Sequence, residues 1–201
     1  MSYILVLGLI VSSSFARVDL AGACCRATRS VVQVKSCGRV GSGVVVDKGS
    51  VITSISSVGP CDTASVSYGD KSYSALVAVR DTSAGVAVLK LDSLDLPPLQ
   101  LGNSDSLKVS QIILAVQVDA YRALEGDPRP LCTLGVVSGL EREAGGLKGL
   151  ILTDAPMVPG GSGSALLDMK GRLVGVLMFG DPRICCSYAV PVGRIRRILK
   201  R

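Results

Sequence analysis

The stretch DAPMVPGGSGSALLDMKGRLVGV, from Asp154 to Val176, places Ser162 between two glycines, after a proline and before an apolar run. This composition is typical of a nucleophilic serine exposed on a tight turn. A serine hydroxyl is a weak nucleophile, and a neighbouring general base normally activates it. That base is most often histidine, and the chain contains no histidine. Ser162 is therefore either a nucleophile with an unusual base or the remnant of one.

The composition describes a folded chain with an aliphatic core. Apolar residues make up 48% of the 201 residues and charged residues 19%, which excludes an intrinsically disordered protein. The chain has no Trp, two Phe and five Tyr, so Val, Leu, Ile and Ala must fill the core. The length suits one domain or two small lobes.

The positive charge is concentrated at the C-terminus. The net charge is +6, and the last eight residues, RIRRILKR, carry five cations and no acid. These cations are Arg194, Arg196, Arg197, Lys200 and Arg201. The segment predicts a short helix with Ile195, Ile198 and Leu199 on one face. Its charged side is either simply solvated or a contact for anionic lipid or nucleic acid; no aromatic residue is interleaved to stack on bases.

Short apolar, β-branched runs separated by Gly, Asp and Ser predict an all-β fold. A connector rich in Pro, Asp and Ser, residues 92–111, divides the runs into two sets of six. The predicted strands are Ser30–Lys35, Ser42–Val46, Ser50–Ser54, Ala64–Tyr68, Tyr73–Val79 and Val86–Leu91, then Gln111–Val118, Cys132–Ser138, Lys148–Thr153, Ser164–Leu167, Arg172–Phe179 and Cys186–Val190.

Residues 1–27 precede the first predicted strand and carry an apolar run, Ile4–Val11, that ends in small residues up to Ala16. The run resembles a signal peptide cleaved after Ala16, although no Lys or Arg precedes it. The run is too short to span a membrane as a helix. The alternative to a signal peptide is a strand or helix that packs on the domain. The signal would imply export. Without it, the cysteines and the scarcity of Asn and Gln favour the cytoplasm of a thermophile.

Five stretches resemble the HtrA/Deg family of trypsin-like serine proteases, and together they extend from about Ser30 to Leu199. They are SVVQVKSCGRVGSGVVVDKGSVITS, DTSAGVAVLKLDSLDLPPLQLGNSDSLKVSQIILAV, LGVVSGLER, ILTDAPMVPGGSGSALLDMKGRLVGV and SYAVPVGRIRRIL. The resemblance implies two six-stranded antiparallel β-barrels with a short C-terminal helix. The first barrel is expected over residues 28–105, the second over 106–192 and the basic helix over 193–201.

The chain departs from this family at two of the three catalytic positions. Ser56 stands at the position of the histidine and Gly85 at that of the aspartate, while Ser162 remains at the nucleophile position. In the triad the histidine takes the serine proton and the carboxylate orients the histidine. The resemblance therefore implies a pseudoprotease in which the N–H groups of Gly160 and Ser162 still form an oxyanion hole; the alternative is a glycine-rich turn kept only because the fold needs it. Such a protein would bind peptide or unfolded protein, alone or as the partner of an active relative.

Two other functions stay open. One is a hydrolase that uses Ser162 with a non-histidine base, for which Lys48, Lys90 and the thiol of Cys61 are candidates, although no lysine occupies a family position facing Ser162. The other is a structural protein that contacts anionic surfaces through its basic tail. No cofactor and no metal are expected, because no CxxC and no Cys/His spacing occurs.

The chain has seven cysteines, so at least one is unpaired within a monomer. They are Cys24, Cys25, Cys37, Cys61, Cys132, Cys185 and Cys186. The resemblance implies a disulfide between Cys37 and Cys61, because vertebrate trypsin-like proteases carry one beside their histidine; two unpaired thiols are the alternative. The doublets Cys24-Cys25 and Cys185-Cys186 are candidates to pair with each other, and the sequence leaves the connectivity open.

Overall fold

The structure, a computed structural model, describes residues 19–126 and 129–200. The expected signal peptide at residues 1–16 and the cation Arg201 lie outside the described residues. Within them the chain forms twelve strands, four α-helices and a 3₁₀ turn. Their bounds are α1 Leu20–Thr28, β1 Val31–Ser36, β2 Arg39–Asp47, β3 Ser50–Ser54, α2 Ile55–Val58, β4 Thr63–Tyr68, β5 Lys71–Asp81, β6 Val86–Lys90, the 3₁₀ turn Ser104–Ser106, β7 Ile112–Gln117, α3 Ala120–Leu124, β8 Leu131–Ala144, β9 Leu147–Thr153, β10 Ala165–Leu167, β11 Leu173–Asp181, β12 Cys186–Pro191 and α4 Val192–Leu199.

The strands close into two antiparallel barrels. The first has the order β1-β2-β3-β6-β5-β4 and the second the order β10-β11-β12-β9-β8-β7. Closure pairs the strands around each barrel and so removes the open edges of a flat sheet. The predicted fold class, two six-stranded barrels with a short C-terminal helix, is confirmed.

The core is aliphatic and has three parts. Val34, Val51 and Leu89 belong to the interior cluster of the first barrel, whereas Ile113 and Leu177 belong to that of the second. A third cluster joins residues of both barrels with residues of α1 and α4, and it includes Ile52, Val176, Ala23 and Ile195. The two barrels are thus fixed against each other by buried aliphatic contacts, which positions the loops that meet between them.

Two helices cover the barrels. In α1 the side chain of Asp19 accepts a hydrogen bond from Gly22 N (2.7 Å), and Cys24 forms a disulfide with Cys132 of β8. In α4 the side chains of Ile195 and Ile198 are buried, as the predicted apolar face requires. None of the helices in the described residues has the length and apolarity needed to cross a membrane.

Candidate functional site

Ser162 lies on the loop that connects β9 to β10, and backbone hydrogen bonds hold this loop in place. Gly161 N donates to Val158 O (2.8 Å), and Gly163 N donates to Leu177 O (2.7 Å). Gly160 and Gly163 adopt positive φ angles of 86° and 89°, which L-residues rarely tolerate. A Cβ on Gly163 would meet Ser42 O at 2.2 Å. The glycines around Ser162 are therefore required by the conformation of the loop.

Ser42 of the first barrel fastens this loop of the second barrel. Its N–H donates to Ser162 O (2.8 Å), and its hydroxyl donates to Gly160 O (2.8 Å) while accepting from Val118 N (2.9 Å). The hydroxyl of Ser57 also donates to Ser162 O, at 3.0 Å. The carbonyl side of Ser162 is thus held by two residues of the first barrel.

The structure brings together Ser56 and Ser162, the residues that the resemblance assigns to the histidine and nucleophile positions. Their Oγ atoms are 2.8 Å apart, and Ser54 Oγ lies 2.8 Å from Ser56 Oγ. Ser162 Oγ donates its hydrogen to Met178 O at 2.7 Å. A hydroxyl has one hydrogen to donate, so Ser56 must donate to Ser162 and Ser54 to Ser56. This hydroxyl chain, Ser54–Ser56–Ser162, ends on a carbonyl oxygen and contains no base.

Gly85, which the resemblance assigns to the aspartate position, offers no polar side chain, and apolar side chains lie close to where its Cβ would be. Its φ is 73°, and its carbonyl accepts a hydrogen bond from Ile55 N (2.9 Å). A Cβ at this position would lie 2.9 Å from Leu147 Cδ1 and 3.0 Å from Met178 Cε. Apolar side chains of the second barrel therefore crowd the position from which a side chain at residue 85 would extend.

The N–H groups of Gly160 and Ser162 donate no hydrogen bond to any of the described residues. Pro159 O accepts from Ala120 N (2.8 Å), and in a planar trans peptide the following N–H points to the opposite side. The Gly160 N–H is thereby turned away from Ala120. Both Gly160 and Ser162 line a groove on the surface of the protein.

A groove of about 690 Å³ runs past Ser162 and Ser56. Its walls are Asp154, Pro156, Met157, Val158, Pro159, Gly160, Met178, Phe179, Gly180, Asp181, Pro182, Cys185, Cys186 and Ser187. The wall is mostly apolar, and its two carboxylates are already engaged. Asp154 Oδ1 accepts from Val136 N (2.7 Å), and the guanidinium of Arg183 holds both oxygens of Asp181 (3.0 and 2.8 Å). This side-chain hydrogen bond from Arg183 is the main reason why the pKa of Asp181 is lowered.

One edge of β11 faces this groove without a strand partner. β10 pairs with β11 only as far as Ala165 opposite Val176, and the next contact is Gly163 N donating to Leu177 O. β12 occupies the other edge, where Phe179 pairs with Tyr188 and Gly180 with Ser187. Within the described residues, the segment Met178–Gly180 therefore has one strand partner.

Gln117 is a residue of the site that the sequence reasoning missed. It is fully buried, its Oε1 accepts from Val158 N (3.1 Å) and its Nε2 donates to Pro156 O (2.6 Å). A Cβ on Gly161 would meet Gln117 Oε1 at 2.3 Å. Gln117 thus shapes the segment between β9 and Ser162. The available signal was a single polar side chain at the end of the apolar run IILAVQ.

The alternative bases suggested by the sequence do not meet Ser162. Cys61 forms a disulfide with Cys37, as the resemblance implies, so its thiol is not free. Lys90 Nζ donates to Ser50 Oγ (2.5 Å) at the start of β3, the end away from Ser54. Neither Lys48 nor Lys90 is among the residues that line the groove.

The idea that the two cysteine doublets pair with each other is wrong. Cys24 is bonded to Cys132 instead, because α1 packs beside β7 and β8. Cys25, Cys185 and Cys186 are free thiols, and the last two line the groove. The described residues contain no group of three His, Cys, Asp or Glu side chains that could hold a metal ion.

Comparison with known proteins places this geometry in a family. Residues 41–176 match the model of the trypsin-like peptidase domain. The serine protease HtrA-like of Staphylococcus epidermidis is 30% identical over 186 residues, covering 83% of this chain and 31% of that protein. Protease Do-like 8, chloroplastic, of Arabidopsis thaliana is 34% identical over 159 residues, covering 67% and 34%. The chain thus spans about a third of the length of these curated relatives.

Solved structures show the same fold. The HtrA-type protease AlgW with a decapeptide matches with a TM-score of 0.78 and 23% identity, covering 90% of this chain and 66% of that one. The Rv3671c protease in an inactive form matches with a TM-score of 0.75 and 22% identity, covering 87% and 89%. This chain therefore belongs to the trypsin-like peptidase domain family and has the fold of an HtrA-type serine protease.

Proposed function

We propose that this domain is a catalytically inactive HtrA-type protease homologue that binds extended peptide segments or unfolded protein in the groove beside Ser162. The observation that carries the proposal is the hydroxyl chain Ser54–Ser56–Ser162, which ends on Met178 O. A serine nucleophile must lose its proton to a base during attack, and this chain of hydroxyls contains none.

The expected loss of activity is large. In subtilisin, removal of the histidine alone lowers the rate by about 2 × 10⁶-fold. Here the position assigned to the aspartate also holds no carboxylate, because residue 85 is glycine, and Leu147 and Met178 crowd the position of its Cβ. The hydrogen bond from Ser162 Oγ to Met178 O further orients the hydroxyl hydrogen toward the backbone. Peptide-bond hydrolysis at Ser162 has no route to the required proton transfer.

Binding needs none of the lost groups. The N–H groups of Gly160 and Ser162, which donate to no described residue, would serve as an oxyanion hole that holds a peptide carbonyl without cleaving it. The unpaired edge at Met178–Gly180 would accept an added strand through main-chain hydrogen bonds. Met157, Val158 and Phe179 would take apolar side chains of the bound segment. AlgW, a structural relative, has been solved with bound peptides.

The catalytic half of the proposal is tested by a serine-directed fluorophosphonate probe on the purified protein, with Ser162→Ala as the control. No labelling of folded protein is expected. Stoichiometric labelling that disappears in the control would establish instead a hydrolase that activates Ser162 with another base.

The binding half is tested with a fluorescent extended apolar peptide and the same peptide N-methylated at alternate residues. Binding of the first and at least a tenfold loss with the second are expected, because N-methylation removes main-chain donors. Met157→Glu, which puts a charge into the groove wall, should weaken binding. Leu76→Glu is the matched control, since Leu76 is an exposed apolar residue of β5 that does not line the groove. Equal affinity for the two peptides would contradict strand addition.

A further inference from the structure

A second cavity of about 500 Å³ lies away from the groove, between the two barrels and the C-terminal helix. Its walls are Asp81, Ser83, Gly146, Lys148, Arg194, Arg197 and Ile198. Asp81 ends β5 and Ser83 lies in the turn to β6. Gly146 precedes β9, Lys148 lies within β9, and the remaining residues belong to α4. We call this cavity the basic cleft, because three of its seven wall residues are cations.

The cations of the C-terminal segment do not act as one patch. Arg194 and Arg197 are three residues apart on α4, so they lie on one face, and both line the basic cleft. Arg196 points elsewhere and donates to Leu101 O (3.0 Å) and Gly102 O (2.7 Å). Arg196 thus fastens α4 to the connector between the barrels, whereas Arg194 and Arg197 remain beside a cavity.

The guanidinium of Arg194 has one nitrogen that lacks an acceptor among the described residues. Its Nη1 atom is buried, and it has no hydrogen-bond partner among the described residues. Its Nη2 atom lies 3.5 Å from the Cβ position of Gly149, so the group rests against β9. An arginine cannot lose its charge in a protein, and a buried charged donor without a partner is unfavourable. An acceptor supplied from the cavity would remove this cost.

Acidic groups also lie around the cleft, and one of them, Asp81, belongs to its wall. The Asp81 carboxylate accepts from Ser83 Oγ (2.5 Å) and Ala84 N (2.9 Å) within its own turn. Lys148 pairs with Glu143 at 3.4 Å, but both side chains are exposed, and exposed pairs contribute little. Glu141 Oε2 lies beside Gly149, 3.3 Å from its Cβ position. Because the pair of Lys148 with Glu143 is exposed, a ligand oxyanion can compete with Glu143 for Lys148.

We infer that the basic cleft binds a phosphate group. Two guanidinium forks and one ammonium match a multivalent oxyanion with several acceptor oxygens better than a singly charged carboxylate. The volume lies within the range of small-molecule sites, so the ligand is a phosphomonoester with a small organic part or the phosphate of a lipid headgroup. Binding there would also tie the turn from β5 to β6 to α4.

The inference is independent of peptide binding, and its test uses the full chain at constant ionic strength. The probes are inorganic phosphate, glycerol phosphate, and vesicles of phosphatidylglycerol or phosphatidylcholine, with calorimetry and thermal unfolding as readouts. Saturating phosphate ligand is expected to raise the Tm, because it binds only the folded state. The variant R194Q/R197Q is expected to bind at least about tenfold more weakly.

The control K35Q/K108Q removes the same charge from two exposed side chains outside the cleft. Binding of glycerol phosphate that this control keeps and R194Q/R197Q loses supports a soluble ligand. The same pattern seen only with phosphatidylglycerol vesicles assigns the phosphate to a lipid headgroup. Equal losses in both variants, or no binding of any probe, would overturn the inference. If R194Q/R197Q does not fold, the exposed single change Lys148→Gln replaces it, with Lys35→Gln as its control.

Discussion

The Cδ1 atom of Leu147 lies 2.9 Å from the position that a Cβ of residue 85 would occupy. Gly85 belongs to the turn before β6 in the first barrel, whereas Leu147 begins β9 in the second. An apolar side chain of the second barrel therefore packs against the glycine at residue 85. The glycine at residue 85 is thus part of the packing between the two barrels.

We expect Gly85→Asp to destabilise the protein by roughly 1–3 kcal/mol, because the new side chain would overpack against Leu147 and Met178 at a positive φ. Urea unfolding of Gly85→Asp and of the double variant with Ser56→His gives the measurement. Gly69→Asp is the control, since Gly69 also has a positive φ but nothing lies within 4 Å of its Cβ position, so this variant reports the backbone cost without the overpacking. Unaltered stability of Gly85→Asp would contradict the packing argument.

Ser56→His alone should restore slow fluorophosphonate labelling of Ser162. The Oγ atoms of the two serines are 2.8 Å apart, so an imidazole at residue 56 would lie beside the nucleophile and supply the missing base. No carboxylate would orient it, so the labelling should remain far slower than in an intact triad. The double variant Ser56→His with Ser162→Ala is the control. Labelling no faster than in the unchanged protein would show that the groove geometry, and not only the missing base, prevents reaction.

The barrels were predictable from the sequence because each strand carries its own signal. Apolar β-branched runs separated by turn residues placed all twelve strands, although the ends moved. The largest difference is β8, which was expected to stop at Ser138 and continues to Ala144. The composition of the segment from Gly139 to Ala144 is typical of a loop. The segment nevertheless pairs with β9, with Arg142 opposite Leu150 and Ala144 opposite Leu147. Pairing with a partner strand overrides the local composition there.

For the candidate site, the resemblance supplied residue positions, and the roles assigned to those residues stay predictions. The positions of Ser56, Gly85 and Ser162 came from flanking residues, whereas the disulfide between Cys24 and Cys132 depends on a contact across 108 residues. This contact depends on how α1 packs on the second barrel, and no local sequence pattern predicts it. The short helix α2, which carries Ser56, was also missed, because four residues are too few for a helical period.

We expect Ser42→Ala to lower the free energy of unfolding by about 1–3 kcal/mol. The change leaves the buried Val118 N without an acceptor and Gly160 O without a donor, and both groups connect the barrels. Ser65→Ala is the matched control, because its hydroxyl bonds Ser72 on the exposed face of β4 and β5. Denaturant unfolding of both variants is the measurement, and equal effects would contradict a specific role for Ser42.

The two disulfides should contribute unequally to stability. In the chain-entropy model, the bridge Cys37–Cys61, with a separation of 24 residues, contributes about 3 kcal/mol, and Cys24–Cys132, with 108, contributes about 5 kcal/mol. Paired Cys→Ser variants of each bridge, unfolded in urea, give the comparison. Thiol counting in denatured, unreduced protein should find the three free cysteines Cys25, Cys185 and Cys186. Seven reactive thiols would show that neither bridge forms.

The ion pair at the rim of the groove predicts a pH effect with a definite sign. The side-chain hydrogen bond from Arg183, together with its backbone N–H, lowers the pKa of Asp181. A carboxyl with a lowered folded-state pKa contributes stability above its unfolded pKa, near 4, and loses it as the pH falls through the folded value. Arg183→Gln should therefore raise the pKa of Asp181 back toward the ordinary range. NMR titration of the carboxyl carbon measures this, with Lys35→Gln as the control, because Lys35 is exposed and does not line the groove. An unchanged Asp181 titration in Arg183→Gln would show that the pair does not persist in solution.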